Sequence, residues 1–61
     1  MYSTNQIRNW AYKHALEHEL LDSAKIITAI KNNIPEHLPE DTTDEYLKGI
    51  AANVLTDIYL P

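Results

Sequence analysis

The chain has 61 residues, a formal net charge of −4, one glycine and no cysteine. This length supports one small helical domain, residues 1–61, with a limited hydrophobic core. The lack of cysteine excludes disulfide bonds as a source of stability. No stretch approaches the roughly 18 apolar residues of a transmembrane helix, and the first residues lack the basic and apolar segments of a signal peptide. We therefore expect a cytoplasmic protein.

A first helix is predicted over residues 4–20. Ser3 and Gln6 have the spacing of a capping box, in which the two side chains satisfy free backbone N–H groups at the helix start. At about 100° per residue, one apolar stripe follows this helix. The stripe consists of Ile7, Trp10, Ala11, His14, His18 and Leu21. Further apolar side chains lie off the stripe and predict a second apolar contact. They are Tyr12, Leu16 and Leu20.

A second helix is predicted over residues 23–33. Because residues 3–34 contain no glycine or proline, a single long helix is the alternative. On such a helix the second apolar stripe would point roughly away from the first, so we expect a break near residues 20–23. The second stripe consists of Ile27, Ile30 and Ile34. Asp22 or Ser23 is the expected N-cap.

A third helix is predicted over residues 43–58, after a connector from which Leu38 is expected to reach the core. Thr42 and Glu45 have the spacing of a second capping box. The apolar stripe of this helix consists of Leu47, Ile50, Ala51, Val54, Leu55 and Ile58. We expect Gly49 to allow close packing against another helix. These elements predict an all-α, three-helix bundle, completed by a homodimer because its apolar stripes are broad for so short a chain.

Residues 14–18, His-Ala-Leu-Glu-His, match the H-x-x-E-H motif of the inverted zinc proteases. On a helix, His14 and His18 lie one turn apart and can bind one metal ion, with His37 and a carboxylate of the connector as further ligands. The protease families are far larger and need another carboxylate ligand and a cleft, so a protease is not predicted. We expect both histidines to pack as neutral side chains, and a metal site is the weaker alternative.

Charge is distributed unevenly along the chain. Residues 1–34 carry four basic and three acidic side chains, a net of +1, whereas residues 35–61 carry one basic and six acidic side chains, a net of −5. Acidic patches attract basic partner surfaces, and exposed tyrosines are frequent in protein interfaces. The candidate partner-binding residues are Glu40, Asp41, Asp44, Glu45, Tyr46 and Tyr59.

The residue types for catalysis are scarce. There is no cysteine, both serines are expected helix caps, and one glycine cannot form a phosphate-binding loop. We predict no catalytic residues, no cofactor and no enzyme. Nucleic acid is not the expected ligand, because the third helix begins with two carboxylates that repel phosphate.

The predicted function is that of a protein-binding regulator. Small acidic helical proteins of this composition are typical of phage and mobile-element accessory proteins that modulate a host factor. The alternatives are a small DNA-binding transcription regulator, and a helical protein stabilised by a metal at His14 and His18.

Overall fold

Three helices form the protein, in the order and close to the ranges predicted from the sequence. The computed structural model describes residues 1–60. It contains α1 (Thr4–His18), α2 (Ser23–Asn33), a 3₁₀ turn (Pro35–His37) and α3 (Asp44–Tyr59). These elements confirm the predicted all-α, three-helix bundle, and residues 1–60 contain no strand. Within the same residues, no helix has the length and apolar character needed to cross a bilayer.

Both ends of α1 are fixed by hydrogen bonds close in sequence. The Ser3 hydroxyl accepts from the Gln6 N–H at 3.2 Å, and the Gln6 side chain accepts from the Ser3 N–H at 2.8 Å, so the capping box is confirmed. The helix ends two residues earlier than predicted, because Glu19 adopts left-handed backbone angles (φ 54°, ψ 44°). The Leu20 N–H then donates to the Ala15 carbonyl at 2.9 Å. This turn confirms the break between the first two helices.

The second helix begins and ends where its flanking residues predict. The Asp22 carboxylate accepts from the Ala24 N–H at 2.8 Å, which identifies Asp22 as the N-cap. The helix stops before Pro35, and Ile34 follows it in a non-helical conformation with its side chain buried. Leu38 is partly buried against the core, as predicted. The connector is therefore anchored by apolar side chains on both sides of its 3₁₀ turn.

The third helix is capped one residue later than predicted. Thr43, not Thr42, is the N-cap, and its hydroxyl accepts from the Tyr46 N–H at 3.1 Å. The Thr42 hydroxyl instead donates to the Pro39 carbonyl at 2.6 Å and closes the turn before the helix. The predicted capping box between Thr42 and Glu45 is therefore wrong. Either threonine could cap the helix by residue type. Thr43 is the cap because the hydroxyl of Thr42 is already bonded to Pro39 in the connector.

The first and third helices run parallel, with α2 antiparallel to both. Near the starts of α1 and α3, the hydroxyls of Thr4 and Tyr46 share a hydrogen bond of 2.6 Å. Further along, Tyr12 in the middle of α1 and Leu60, the residue that follows α3, line the same surface depression. Lys31, near the end of α2, contacts the first residue of α3. The molecule is thus a short rod of 30 × 18 × 18 Å. We call its two ends the connector end (residues 34–43) and the loop end (residues 19–22).

The buried core draws on all three helices, but the predicted face of α1 is partly wrong. The core residues are Ile7, Ala11, Ala15, Ile26, Ile30, Ile34, Leu47, Ile50, Ala51 and Val54. Of the predicted stripe, Trp10 and His14 are only half-buried, His18 is exposed, and Leu21 is exposed in the loop after α1. Ile7 and Ala11 are buried as predicted, and Ala15, which the predicted stripe omits, is buried with them. The small alanine side chains let α1 approach α3, its most extensive packing partner.

Gly49 does not pack against another helix, contrary to the sequence-based expectation. It lies on the exposed face of α3, and a Cβ placed at this position would meet no atom within 4 Å. The apolar stripe on either side of it is correctly predicted, with Leu47, Ile50 and Val54 buried. The glycine therefore lies between core positions and faces solvent.

Candidate interaction surfaces

Acidic side chains gather at the connector end of the bundle. We name them the acidic cluster: Glu36, Glu40, Asp41, Asp44 and Glu45. All five are exposed. The segment that carries them is tied to the start of the chain, since the Tyr2 N–H donates to the His37 carbonyl at 2.7 Å and the two rings stack at 4.1 Å. The carboxylates are thus presented by a packed segment of the fold.

Two members of the acidic cluster, Asp44 and Glu36, have a basic side chain within ion-pair distance. The Lys31 ammonium donates to the Asp44 carboxylate at 2.6 Å. This hydrogen bond, together with the positive charge of Lys31, lowers the pKa of Asp44 below its ordinary value of 3.8. Lys48 adds a smaller effect in the same direction. Glu36 lies beside His37, with 3.5 Å between its Oε1 and the imidazole Nε2. Among the described residues, Glu40, Asp41 and Glu45 therefore carry no ion pair, and the cluster is a weaker negative surface than the sequence indicates.

The two tyrosines of the predicted site lie far apart. Tyr46 is half-buried, packs against the core and shares its hydroxyl hydrogen bond with Thr4, so it contributes to the fold. Tyr59 is 58% exposed and ends α3. At about 1.5 Å per residue, the helix separates the two by roughly 20 Å. The six predicted partner-binding residues therefore do not form one surface: Tyr59 lies at the opposite end from the acidic cluster.

Large apolar side chains are exposed at the loop end. We name these four residues the apolar end: Leu16 (50% exposed), Leu21 (52%), Tyr59 (58%) and Leu60 (75%). Among residues 1–60, the only other large hydrophobic residue this exposed is Met1. Leu16 is one of the residues that the sequence places off the main stripe of α1. The grouping of these four residues could not be predicted from the sequence, because they belong to three separate segments: the end of α1, the following loop and the end of α3.

Carboxylates border the apolar end. Glu17, Glu19 and Asp22 are exposed around the turn between α1 and α2. Among residues 1–60 the ion pairs are Lys31 with Asp44 and His37 with Glu36, so none of these three carboxylates is neutralised by a basic side chain. The loop end therefore combines exposed apolar side chains with a negative border.

Two histidine rings lie close together on α1 beside α2. The ring centroids of His14 and His18 are 4.3 Å apart, and the Trp10 ring stacks on His14 at 4.6 Å. His14 is half-buried, whereas His18 is exposed, so only His14 packs as predicted. His37 lies at the connector end against Tyr2 and cannot be a third ligand. In the described part of the chain, no group of three His, Cys, Asp or Glu side chains could hold a metal ion.

Comparison with known proteins adds no functional information. The chain matches no protein-family model, no curated protein and no solved structure.

Proposed function

We propose that the protein binds another protein through its apolar end and catalyses no reaction. The observation that carries this proposal is the exposure of four large apolar side chains on the end of α1, the loop after it and the end of α3. Single exposed apolar residues are ordinary, but contiguous patches of them mark interaction sites, and we infer that these four side chains form such a patch. A few residues supply most of the binding energy of a protein interface, and tyrosine, the residue type of Tyr59, is enriched among them.

The charge around the apolar end indicates the kind of partner. A border of Glu17, Glu19 and Asp22 complements an apolar patch edged by lysine and arginine. The acidic cluster and the net charge of −4 add a long-range attraction for the same partner. Such binding suits a cytoplasmic accessory protein, of a phage or mobile element, that modulates a host factor.

Affinity capture with matched variants tests the proposal. The baits are the unaltered protein, Leu16→Ser with Leu21→Ser, and Glu40→Gln with Asp41→Asn. All four positions are exposed, so the variants should retain the helical circular dichroism spectrum. We expect the leucine variant to lose the partner and the acidic-cluster variant to keep it with weaker dependence on salt. If the leucine variant still captures the partner, the proposal is wrong.

Nuclease treatment of the same samples separates protein binding from the DNA-binding alternative. The basic side chains are few, and Lys31 is paired with Asp44. A partner that depends on protein contacts survives the nuclease. Loss of all captured material after nuclease would favour the DNA-binding alternative.

A further inference from the structure

We propose that His14 and His18 bind a zinc ion that joins two copies of this chain. Both residues lie in the last two turns of α1, four positions apart, which places their side chains on the same side of the helix. Their ring centroids are 4.3 Å apart, so both imidazoles can reach one ion without a change in the backbone. This site goes beyond the protein binding proposed above and uses different residues.

The surroundings of the pair favour a bound cation. The Trp10 ring stacks on His14 with an angle of 16° between the planes, which restricts the orientation of that imidazole. His18 lies in the last turn of α1, where the helix dipole favours positive charge. Zinc accepts imidazole nitrogen as a ligand, at about 2.0–2.1 Å. One ligand is therefore ordered by stacking, and the other is exposed and accessible.

The need for a second copy follows from ligand number. Zinc in a structural site takes four ligands in a tetrahedral arrangement. The pair supplies two, and no third His, Cys, Asp or Glu side chain joins it within residues 1–60. Two copies that face each other across a two-fold axis would supply four imidazoles. The site is incomplete in one chain and is completed by the same residues of another.

One basic side chain opposes the ion. Lys25 lines the same groove as the histidine pair, from the facing side of α2. Its ammonium group is mobile on a long exposed side chain and repels a nearby cation. Lys25→Gln is therefore expected to strengthen zinc binding, whereas the loss of a histidine ligand is expected to weaken it.

Sedimentation equilibrium with and without zinc tests the site. The unaltered protein is expected to double its mass of 7.0 kDa when one zinc ion is added per two chains, and to return to the monomer with EDTA. His18→Gln should abolish the mass change, and because His18 is exposed the variant should fold normally. Lys25→Gln should dimerise at lower zinc concentration. His37→Gln, at the other end of the molecule, should behave as the unaltered protein does.

Three results would overturn the site: a mass that zinc does not change, zinc bound once per chain without dimer formation, and a zinc-dependent dimer that persists in His18→Gln. The partner capture of the preceding section is carried out in EDTA. Loss of the zinc dimer and loss of the protein partner are thus measured separately.

Discussion

At the scale of single residues, the contact between Lys31 and Asp44 has a measurable electrostatic consequence. The hydrogen bond and the ammonium charge hold the pKa of Asp44 below its ordinary value of 3.8. We expect a carboxyl-carbon NMR titration to place the Asp44 pKa below that value, and Lys31→Met to raise it towards 3.8. Lys48→Met is the matched control. It should raise the pKa less, because Lys48 contributes the smallest of the lowering effects.

The same contact sets the direction of a pH effect on stability. A carboxyl group whose pKa is lower in the folded than in the unfolded state stabilises the fold when it is ionised in both states. The contribution of Asp44 is therefore present above its unfolded pKa, and it is lost as the pH falls through the lowered folded value. Both partners are exposed, so the effect is small and screened by salt. An Asp44 pKa that Lys31→Met leaves unchanged would contradict this account.

At the scale of the helices, local signals in the sequence identify several boundaries correctly. Ser3 with Gln6, and Asp22, are short-range caps whose partners lie within three residues, so the sequence contains all the information needed. The sequence does not distinguish Thr42 from Thr43 as the N-cap of α3, because the two side chains are chemically alike. The connector, held by Leu38 and by the contact of Tyr2 with His37, decides between them.

The helix faces are harder to predict than the helix boundaries. Which side of α1 is buried depends on how closely α3 approaches, and α3 comes more than 25 residues later in the chain. Large apolar side chains dominate a periodicity argument, so Trp10 and His14 are assigned to the core in place of Ala15. The acidic cluster is evident in the sequence because its members are close together in it. The apolar end is not, since its members lie on segments that are far apart in the sequence.

Two positions, one inside α3 and one directly after α1, carry residue types that are not optimal for their backbone conformation. Gly49 lies in the exposed interior of α3, where alanine is more stable by about 1 kcal/mol. Glu19 has the left-handed conformation that glycine adopts at little cost. We expect Gly49→Ala and Glu19→Gly each to raise the melting temperature, by about 4–8 °C per kcal/mol in a domain of this size. Calorimetry measures both shifts.

Glu17→Gly is the matched control for Glu19→Gly. It makes the same chemical change two residues earlier, inside α1, and should lower the melting temperature because glycine disfavours a helix interior. A decrease for Gly49→Ala would show that the exposed face of α3 has a constraint absent from one isolated copy. Close approach of a second copy of the chain to the glycine is such a constraint.

At the scale of the whole molecule, one copy of the chain has the dimensions of a complete small domain. Its radius of gyration is 10.4 Å, against about 10.5 Å expected for 61 residues. Its accessible surface is 4147 Å², against about 4,000 Å² for a monomer of its mass. The ten core residues are buried within one chain. Self-association remains a proposal that rests on the histidine pair.

A closed core predicts where mutations are costly and how unfolding depends on concentration. Ile30 is fully buried on α2, so Ile30→Ala should cost about 2–5 kcal/mol. A domain of this length has only about 3–9 kcal/mol in total. Leu16→Ala, at the half-exposed apolar end, should change the free energy of unfolding by less than about 0.5 kcal/mol. Urea denaturation in EDTA, followed by circular dichroism, gives both values.

The same urea denaturation experiment, repeated at a tenfold higher protein concentration, tests whether the core is complete in one chain. A monomer has a urea midpoint that does not depend on its concentration, whereas a dimer is stabilised by mass action. We expect equal midpoints in EDTA and a midpoint that rises with concentration once zinc is present. Concentration dependence in EDTA would show that a second copy covers part of the fold without metal. The apolar end would then be a contact between copies, and the proposed partner would need another surface.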